Sequence, residues 1–271
     1  MQCKSRDGAV VARWAHNPKV AGSSPAPATR KSRTHRHPAF LFLFYINFFT
    51  AMEIIYEDNH IVIVNKEPGE IVQGDKTGDT PLVDYVKEYL KTKYNKPGNV
   101  FCGVVHRIDR PVAGLVIFAK TSKALTRLNE MLRKGEIHKT YLALVENQPP
   151  EDQGRLTNYL VSDGKINKTF ISDSSNPNAK KSELEYKIIK KGDRYSLIKI
   201  NLLTGRKHQI RAQLSAIGCP IKGDLKYGAR RSNSNGGISL QSSTLTFVHP
   251  VSKKEMQFEA PPLEDFKPFY N

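Results

Sequence analysis

The sequence has few cysteines and no long apolar run. Its 271 residues include three cysteines, Cys3, Cys102 and Cys219, which are scattered, form no CxxC pair and have no histidine pair nearby. Disulfide scaffolds and structural zinc sites need regular spacings of such residues, so neither is expected, and a reducing, cytoplasmic location is predicted. Because no stretch of about 18 apolar residues occurs, no membrane-spanning helix is expected either.

Acidic residues are scarce relative to basic ones. The chain has 42 Lys and Arg against 26 Asp and Glu, which gives a formal net charge of +16. Such an excess says nothing about the fold, but it favours a polyanionic partner, above all nucleic acid, over a membrane surface. The length allows one large domain or two small ones with a sizeable core.

Residues 1–51 differ from the rest of the chain. They show no period of 2 or 3.6, are rich in Pro, Ser, Ala and Arg, and end in the apolar run AFLFLFYINFF. They could be a targeting peptide, a disordered RNA-binding arm, or translated upstream DNA before a true start at Met52. The third interpretation is favoured, because residues 22–25 can be encoded by a sequence that looks like the T-arm of a tRNA gene. We therefore expect 1–51 to be non-globular and 52–271 to form one domain.

Downstream of Met52 the sequence predicts short strands joined by turns, with three helices between them. The strands are expected within 53–67, 104–108, 115–119, 138–146, 184–200, 238–248 and 254–260. The helices are expected from Thr80, as an N-cap before Pro81, to about Asn95, from Ser122, as a cap, to Gly135, and from Arg206, at the N-terminus, to Ile217, before Gly218 and Pro220. This pattern favours an α+β fold with a mostly antiparallel sheet.

The stretch HRIDRPVAGLVIFAK (106–120) places Asp109 between Arg107 and Arg110, in a loop before a buried strand. Taken alone, the arrangement could be a surface ion pair of little energetic value. It could also be a nucleophile that is kept ionised in a basic cleft. Gly114, just after the loop, permits close packing or a positive φ.

Two further stretches carry polar residues of interest. In LLTGRKHQIRAQL (202–214), Arg206 stands where a helix is expected to begin, and Lys207, His208 and Arg211 add charge. Helix N-termini attract anions, so a phosphate contact is about as plausible there as a solvated face. In HKTYLALVE (138–146), Tyr141 lies in the middle of a strand, where a tyrosine is usually part of the core.

Together these stretches resemble the RluA-type family of RNA pseudouridine synthases. HRIDRPVAGLVIFAKT is similar to the family's catalytic-aspartate motif, KTYLALV to its tyrosine motif and LxTGRxHQIR to its arginine motif. GDLKYG (223–228) and FVHP (247–250) are similar to two further signatures, and the resemblance covers about residues 53–262. Two departures occur: Pro111-Val112 replaces a more common polar pair, and Leu240-Gln241-Ser242 replaces Leu-His-Ala. The S4 RNA-binding module of many relatives is not expected within 1–51.

The resemblance implies that the protein isomerises a uridine of structured RNA, rRNA or tRNA, in a central cleft of an α+β fold with flanking helices. A monomer that needs no cofactor and no metal is expected. Asp109 is then the nucleophile, Arg206 its ion-pair partner, and Tyr141 the residue that stacks on the flipped base and is a candidate to remove the C5 proton. Arg107 is the candidate to fill the space that the flipped base leaves. RNA contacts are expected from His106, Arg107, Arg110, Lys139, Lys207, His208, Gln209 and Arg211.

Two other functions remain open at the level of sequence. A glycoside hydrolase also breaks a C1′ bond, but it usually needs a second carboxyl group, for which Glu136 and Glu146 are the nearest candidates. A non-catalytic RNA-binding protein would fit the charge. It would leave a lone Asp109 among basic residues without an explanation.

Overall fold

The structure is a computed structural model that describes residues 52–270, so the predicted non-globular segment 1–51 lies outside the described residues. The described chain forms one mixed sheet with helices on both faces. Its strands are β1 (Glu53–Glu57), β2 (Ile61–Lys66), β3 (Gly103–Val104), β4 (Ala113–Ala119), β5 (His138–Glu146), β6 (Gln153–Asp163), β7 (Lys168–Ser172), β8 (Lys180–Lys191), β9 (Tyr195–Leu202), β10 (Leu240–Val248) and β11 (Glu255–Glu259). Its helices are α1 (Leu82–Lys93), α2 (Ser122–Lys134) and α3 (Gln209–Ala216), with 3₁₀ helices at Leu225–Tyr227 and Glu264–Phe269.

The sheet has the strand order β1-β2-β4-β10-β5-β9-β8-β6-β7, with β3 also paired to β4 and β11 also paired to β10. Within the described residues, every pair is antiparallel except β4 with β10, which meet in parallel over two residue pairs. The predicted α+β fold with a mostly antiparallel mixed sheet and flanking helices is confirmed. Beyond their short junction β4 and β10 separate, and β10 continues along β11.

Alternation along the buried strands divides the core between the two faces of the sheet. Val62 and Val64 of β2 pack in the cluster that contains α1, whereas Ile61 and Ile63 pack in the cluster that contains α2. All four side chains are fully buried. Each contributes about 1.5–3 kcal/mol to folding. Because both faces of the sheet are covered here, residues 61–64 are apolar without alternation. No helix in the described part of the chain is long and apolar enough to cross a membrane.

The starts of α1 and α2 differ by one residue from the predicted ones. Pro81, not Thr80, occupies the N-cap position of α1 and makes no side-chain cap. Thr121, not Ser122, caps α2, because its Oγ1 accepts the backbone N–H of Ala124 at 3.2 Å. Thr80 precedes the cap position of α1 and Ser122 follows that of α2, and both residue types favour N-caps. The sequence therefore locates each start only to within one residue.

The hairpin of β6 and β7 is the largest difference from the predicted elements. The sequence assigned 149–154 to a loop and gave no strand between 155 and 183. Most positions of β6 are exposed or half-buried, so its period-2 signal is weak, and antiparallel pairing with β8 stabilises it instead. In contrast, the predicted strand 104–108 contains only the end of β3, because residues 105–112 form the loop that carries Asp109.

Candidate active site

Asp109 lies in the loop 105–112, immediately before β4 and its junction with β10. Its side chain is 26% exposed, so the carboxylate reaches solvent. The backbone around it is fixed, which gives the carboxylate a defined direction. Three backbone hydrogen bonds hold the loop: Val112 N–H to the Asp109 carbonyl at 3.0 Å, Gly69 N–H to Arg110 at 2.8 Å, and Ile238 N–H to Pro111 at 3.0 Å.

Three neighbouring strands place Gly114, Ser242 and Tyr141 in one row across the sheet, because Ser242 pairs with Gly114 of β4 and with Tyr141 of β5. Gly114 has a φ of +112°, and a Cβ there would collide with the backbone of Ser242. The glycine is therefore required for both reasons that the sequence suggested. Burial raises the pKa of Tyr141 well above its usual range, and the charge of Asp109 acts in the same direction. Tyr141 is thus a neutral phenol beside Asp109.

Arg211 is the cation that pairs with Asp109. Its Nη1 lies 3.2 Å from Asp109 Oδ2, while its Nε and Nη2 lie 2.7 and 2.8 Å from the two oxygens of Asp224. Arg211 and Asp224 are both buried. Burial lowers the pKa of Arg211, but the hydrogen bonds and charges of the two carboxylates outweigh it and raise the pKa. A fixed guanidinium therefore faces the partly exposed carboxylate of Asp109.

His208 and Tyr227 form a second layer behind this pair. His208 Nε2 lies 3.7 Å from Asp109 Oδ2, and its Nδ1 lies 2.9 Å from Tyr227 Oη. Burial lowers the pKa of His208 to about 4, although Asp109 acts in the opposite direction. The imidazole is therefore neutral near pH 7. In the tautomer with its proton on Nε2, it presents an N–H group to Asp109.

The predicted pairing of Asp109 with Arg206 is wrong. Arg206 is exposed, and its Nε donates to the carbonyl of Lys181 at 3.2 Å. The cause is the start of α3, which begins at Gln209 and has His208 as its N-cap in a left-handed conformation with a φ of 51°. Arg206 therefore lies in the turn before the helix, whereas Arg211 lies in its first turn and faces Asp109.

Lys66 is a component of the site that the sequence analysis missed. It is fully buried at the end of β2, and its Nζ donates to the carbonyls of Glu67 at 2.7 Å and Arg110 at 3.1 Å. Burial lowers its pKa to about 8, although the charges of Glu70 and Asp109 raise it. The Lys66 side chain thus connects the end of β2 to the Asp109 loop through the Arg110 carbonyl. A lysine that directly follows the buried run IVIVN was the available signal, since lysine is almost never fully buried unless its ammonium group has partners.

The residues predicted to contact RNA divide into exposed and internal ones. Arg107, Arg110 and Lys207 are exposed, and Arg110 forms an ion pair with Asp79 at 2.7 Å. Lys139 is partly buried, and no carboxylate among residues 52–270 lies within ion-pair distance of it.

His106 and Gln209 do not fit the prediction of an RNA contact. His106 is buried and its Nε2 accepts the N–H of Ile117 at 3.3 Å. Gln209 is buried too: its Oε1 accepts from Thr204 Oγ1 at 2.8 Å, and its Nε2 donates to the Glu183 carbonyl at 3.0 Å. Both side chains hold the protein's own backbone. Arg211 and His208 are likewise buried, and with Asp109 and Asp224 they form the group of contacting residues that we call the Asp109 cluster.

Residues 60–216, which include Asp109, Tyr141 and Arg211, match the model of a family described as RNA pseudouridylate synthase. The chain belongs to this family. The resemblance noted in the three motifs is thereby confirmed.

Two curated relatives agree with the assignment to the RNA pseudouridylate synthase family, and one solved structure shares the fold. The chain is 32% identical over 214 residues to the ribosomal large subunit pseudouridine synthase C of Vibrio parahaemolyticus serotype O3:K6, across 77% of this chain and 65% of that protein. It is 32% identical over 228 residues to the protein of the same name from Buchnera aphidicola subsp. Acyrthosiphon pisum, across 80% and 69%. The chain thus matches just under two thirds of the length of the Vibrio relative. The structure of Human RNA Pseudouridylate Synthase Domain Containing 4 has the same fold, with a TM-score of 0.70 and 20% identity over 83% of this chain and 95% of that one.

The two additional family signatures also have defined places in the structure. GDLKYG supplies Asp224 and Tyr227, the partners of Arg211 and His208. In FVHP, His249 Nδ1 accepts the N–H of Ser252 at 2.9 Å, so this signature closes a turn after β10. The departure at Gln241 affects a contact away from Asp109, because Gln241 Nε2 donates to the Pro261 carbonyl at 2.7 Å.

Proposed function

We propose that this member of the RNA pseudouridylate synthase family isomerises a uridine of structured RNA to pseudouridine, with Asp109 as the nucleophile. The observation that carries the proposal is the ion pair of Asp109 with the buried Arg211, beside the neutral Tyr141. A partly exposed carboxylate that is aimed by a fixed guanidinium has the form of a nucleophile rather than of a surface ion pair.

The proposed reaction is balanced within the RNA. The bond between C1′ and N1 of the uridine breaks, the base turns, and a bond between C1′ and C5 forms. The C5 proton is lost and N1 gains a proton, so no electrons enter or leave and no cofactor is needed. Asp109 attacks either C1′ or C6 to make the covalent intermediate, which is then resolved.

Arg211 keeps the nucleophile ionised. A base in the pocket excludes water, which by itself would favour the protonated form of a carboxylate. The Arg211 guanidinium opposes this effect, and Asp224 holds it in place through two hydrogen bonds. Arg206 is left to contact the RNA from its exposed turn.

Tyr141 is proposed to contact the face of the flipped base. Its raised pKa favours the phenol over the phenolate, so a stacking platform is supported better than a general base. Removal of the C5 proton by Tyr141 would require the phenolate. That role remains a secondary hypothesis.

Exposed cations are proposed to hold the RNA. Arg107 lies two residues from Asp109 and, among the described residues, has no ion-pair partner, so it can enter the space that the flipped uridine leaves. Lys139, Lys207 and Arg110 are proposed to contact phosphates. The rRNA of the large ribosomal subunit is the first substrate to test, because the curated relatives carry that substrate in their names. A tRNA is the second.

The remaining properties are proposed on physical grounds. The isomerisation requires no metal, and we propose that the protein acts as a monomer in the cytoplasm, where Cys102 and Cys219 stay reduced. Both are free thiols in the structure. Residues 1–51 are proposed to take no part in catalysis, and 52–271 to form the catalytic domain.

A glycosidic-bond hydrolase is supported less well. The carboxyl group that shares Arg211 with Asp109 is Asp224, which is 2% exposed and uses both oxygens on Arg211. It is not free to protonate a leaving group. Glu146 accepts the backbone N–H of Arg230 at 3.0 Å, and Glu136 is exposed after α2.

Large-subunit rRNA and tRNA transcripts that carry tritium at uridine C5 would test the proposal. Isomerisation releases this tritium to water and leaves the RNA chain intact. Full retention of tritium in an RNA that the protein binds would indicate a non-catalytic RNA-binding protein. Release of free uracil would instead indicate a hydrolase.

A further inference from the structure

An open pocket lies between the β6–β7 hairpin and α3, outside the Asp109 loop. It encloses about 370 Å³, at the lower end of the range of ~300–1,000 Å³ that is usual for small-ligand sites. Its walls are mainly apolar and aromatic, with one lysine. The residues that line it include Lys168, Phe170, Ile171, Ala212, Ala216 and Tyr227.

The hydroxyl groups of Tyr227 and Ser215 in the walls are already bonded within the protein. Tyr227 Oη accepts the N–H of Thr169 at 2.8 Å, and Ser215 Oγ donates to the Tyr227 carbonyl at 2.7 Å. A ligand therefore meets carbon surface, including Phe170 and Ile171, which are 42% and 40% exposed. Apolar walls with an accessible aromatic ring suit a flat ring system.

Lys168 supplies the charge at the pocket. Its Nζ lies 5.5 Å from the centre of the Phe170 ring and 5.2 Å from that of Tyr227. No carboxylate in the described range 52–270 lies within ion-pair distance of it. Nearby, Lys226 Nζ donates to the Asn167 carbonyl at 3.1 Å, which adds a second cation. A ligand that joins a flat ring to an anionic group matches this surface, and a nucleotide has both parts.

Tyr227 is also in contact with the Asp109 cluster. The Arg211 guanidinium carbon lies 4.9 Å from the centre of its ring, and its Oη contacts His208, which faces Asp109. The pocket is thus separated from the nucleophile by one layer of side chains.

We propose that this pocket binds an unpaired nucleotide of the substrate RNA, near the isomerised uridine, with its base stacked on Phe170 and its phosphate at Lys168. The inference rests on the proposed function, which supplies the RNA. It adds a subsite that selects RNA with an unpaired nucleotide at a set distance from the target.

Phe170→Ala in the full chain tests the energetic part of the inference. Stacking of one base contributes enough that affinity for the rRNA transcript should fall by at least about fivefold. Tritium release at RNA concentrations below saturation should fall by a similar factor, because Phe170 contributes to binding. Phe101→Ala is the matched control, since Phe101 is 46% exposed and is not part of the pocket. Equal affinity of the Phe170→Ala variant and the wild type would overturn the inference.

A fluorescence experiment locates the stacking directly. Trp14 is the only tryptophan in the sequence, so Trp14→Phe with Phe170→Trp gives a single reporter at the pocket. A short oligoadenylate should quench its emission saturably, whereas a Phe101→Trp reporter in the same background should not respond. Unquenched emission at Phe170→Trp would overturn the inference. Because oligoadenylate contains no uridine, this result is independent of whether the protein isomerises RNA.

Discussion

Arg211 donates a hydrogen bond to Asp109 Oδ2 from one guanidinium nitrogen at 3.2 Å, and its other two guanidinium nitrogens donate to Asp224. The orientation of Arg211 is therefore set by a buried carboxylate, and Asp109 receives only the remaining N–H. Asp109 gains a fixed positive neighbour but keeps its other oxygen for chemistry. This division of one guanidinium between two carboxylates is the main structural argument for Asp109 as a nucleophile.

Arg211→Lys should lower isomerisation by at least about a hundredfold. A lysine keeps the charge but cannot reach both carboxylates with a fixed fork. It should also lower the free energy of unfolding by about 3 kcal/mol, because Asp224 is left buried and poorly paired. Tritium release and urea unfolding measure the two effects.

Arg206→Ala is the control for Arg211→Lys. Its guanidinium contacts a carbonyl on the surface, so its loss should change the rate at saturating RNA by less than about threefold and weaken RNA binding modestly. If Arg206→Ala were as damaging as Arg211→Lys, the assignment of the ion pair would be contradicted.

The wrong assignment of Arg206, instead of Arg211, as the ion-pair partner of Asp109 shows where sequence reasoning fails. The motif contains two arginines five residues apart, and the choice between them depends on where α3 begins. His208 in a left-handed conformation delays that start, and sequence patterns do not predict this conformation for a histidine. The Asp109 loop was predictable because apolar stretches lie on both sides of it. The need for glycine at position 114 was predictable because Gly114 lies just after this loop.

Stability should fall as the pH falls from about 6.5 to 4. Burial lowers the pKa of His208 to about 4 and that of His106 to about 3, against about 6.5 in the unfolded chain. The unfolded state therefore binds more protons in this range, and the two groups together remove about 2–3 kcal/mol per pH unit. His208→Asn should reduce that slope by about half in urea unfolding between pH 5 and 6. Identical slopes in variant and wild type would contradict the buried neutral imidazole.

Gly114→Ala should destabilise the protein by at least about 2 kcal/mol. The alanine would need a φ of +112°, and its Cβ would collide with the backbone of Ser242. Gly74→Ala is the control, because a Cβ there meets nothing within 4 Å. Thermal unfolding of both variants measures the difference. Equal stability of the two would show that β4 and β10 do not approach as described.

A chain that begins at Met52 should unfold at the same urea concentration as the full chain and release tritium at the same rate. Residues 1–51 lie outside the described residues, and their composition predicts no core. Trp14 in the full chain should show red-shifted, solvent-exposed emission. Blue-shifted emission, or loss of folding on truncation, would show that the segment packs.

Two further parts of the structure were missed by the sequence analysis. Lys66 is a charged residue in a fully buried position, which contradicts the usual partition of residues and is explained only by the carbonyls of Glu67 and Arg110 that surround it. The β6–β7 hairpin carries mostly exposed side chains, so its strands depend on pairing with a distant β8. Long-range pairing of this kind leaves little trace in local sequence.

Asp109→Asn gives the most direct test of the proposed mechanism. The amide has nearly the same size and hydrogen-bonds to Arg211, but it is not a competent nucleophile. Pseudouridine formation in the rRNA transcript should be abolished, while RNA affinity should hold or rise because a negative charge is removed. If the variant kept activity within about tenfold of the wild type, a barrier change of only about 1.4 kcal/mol, Asp109 could not be the nucleophile.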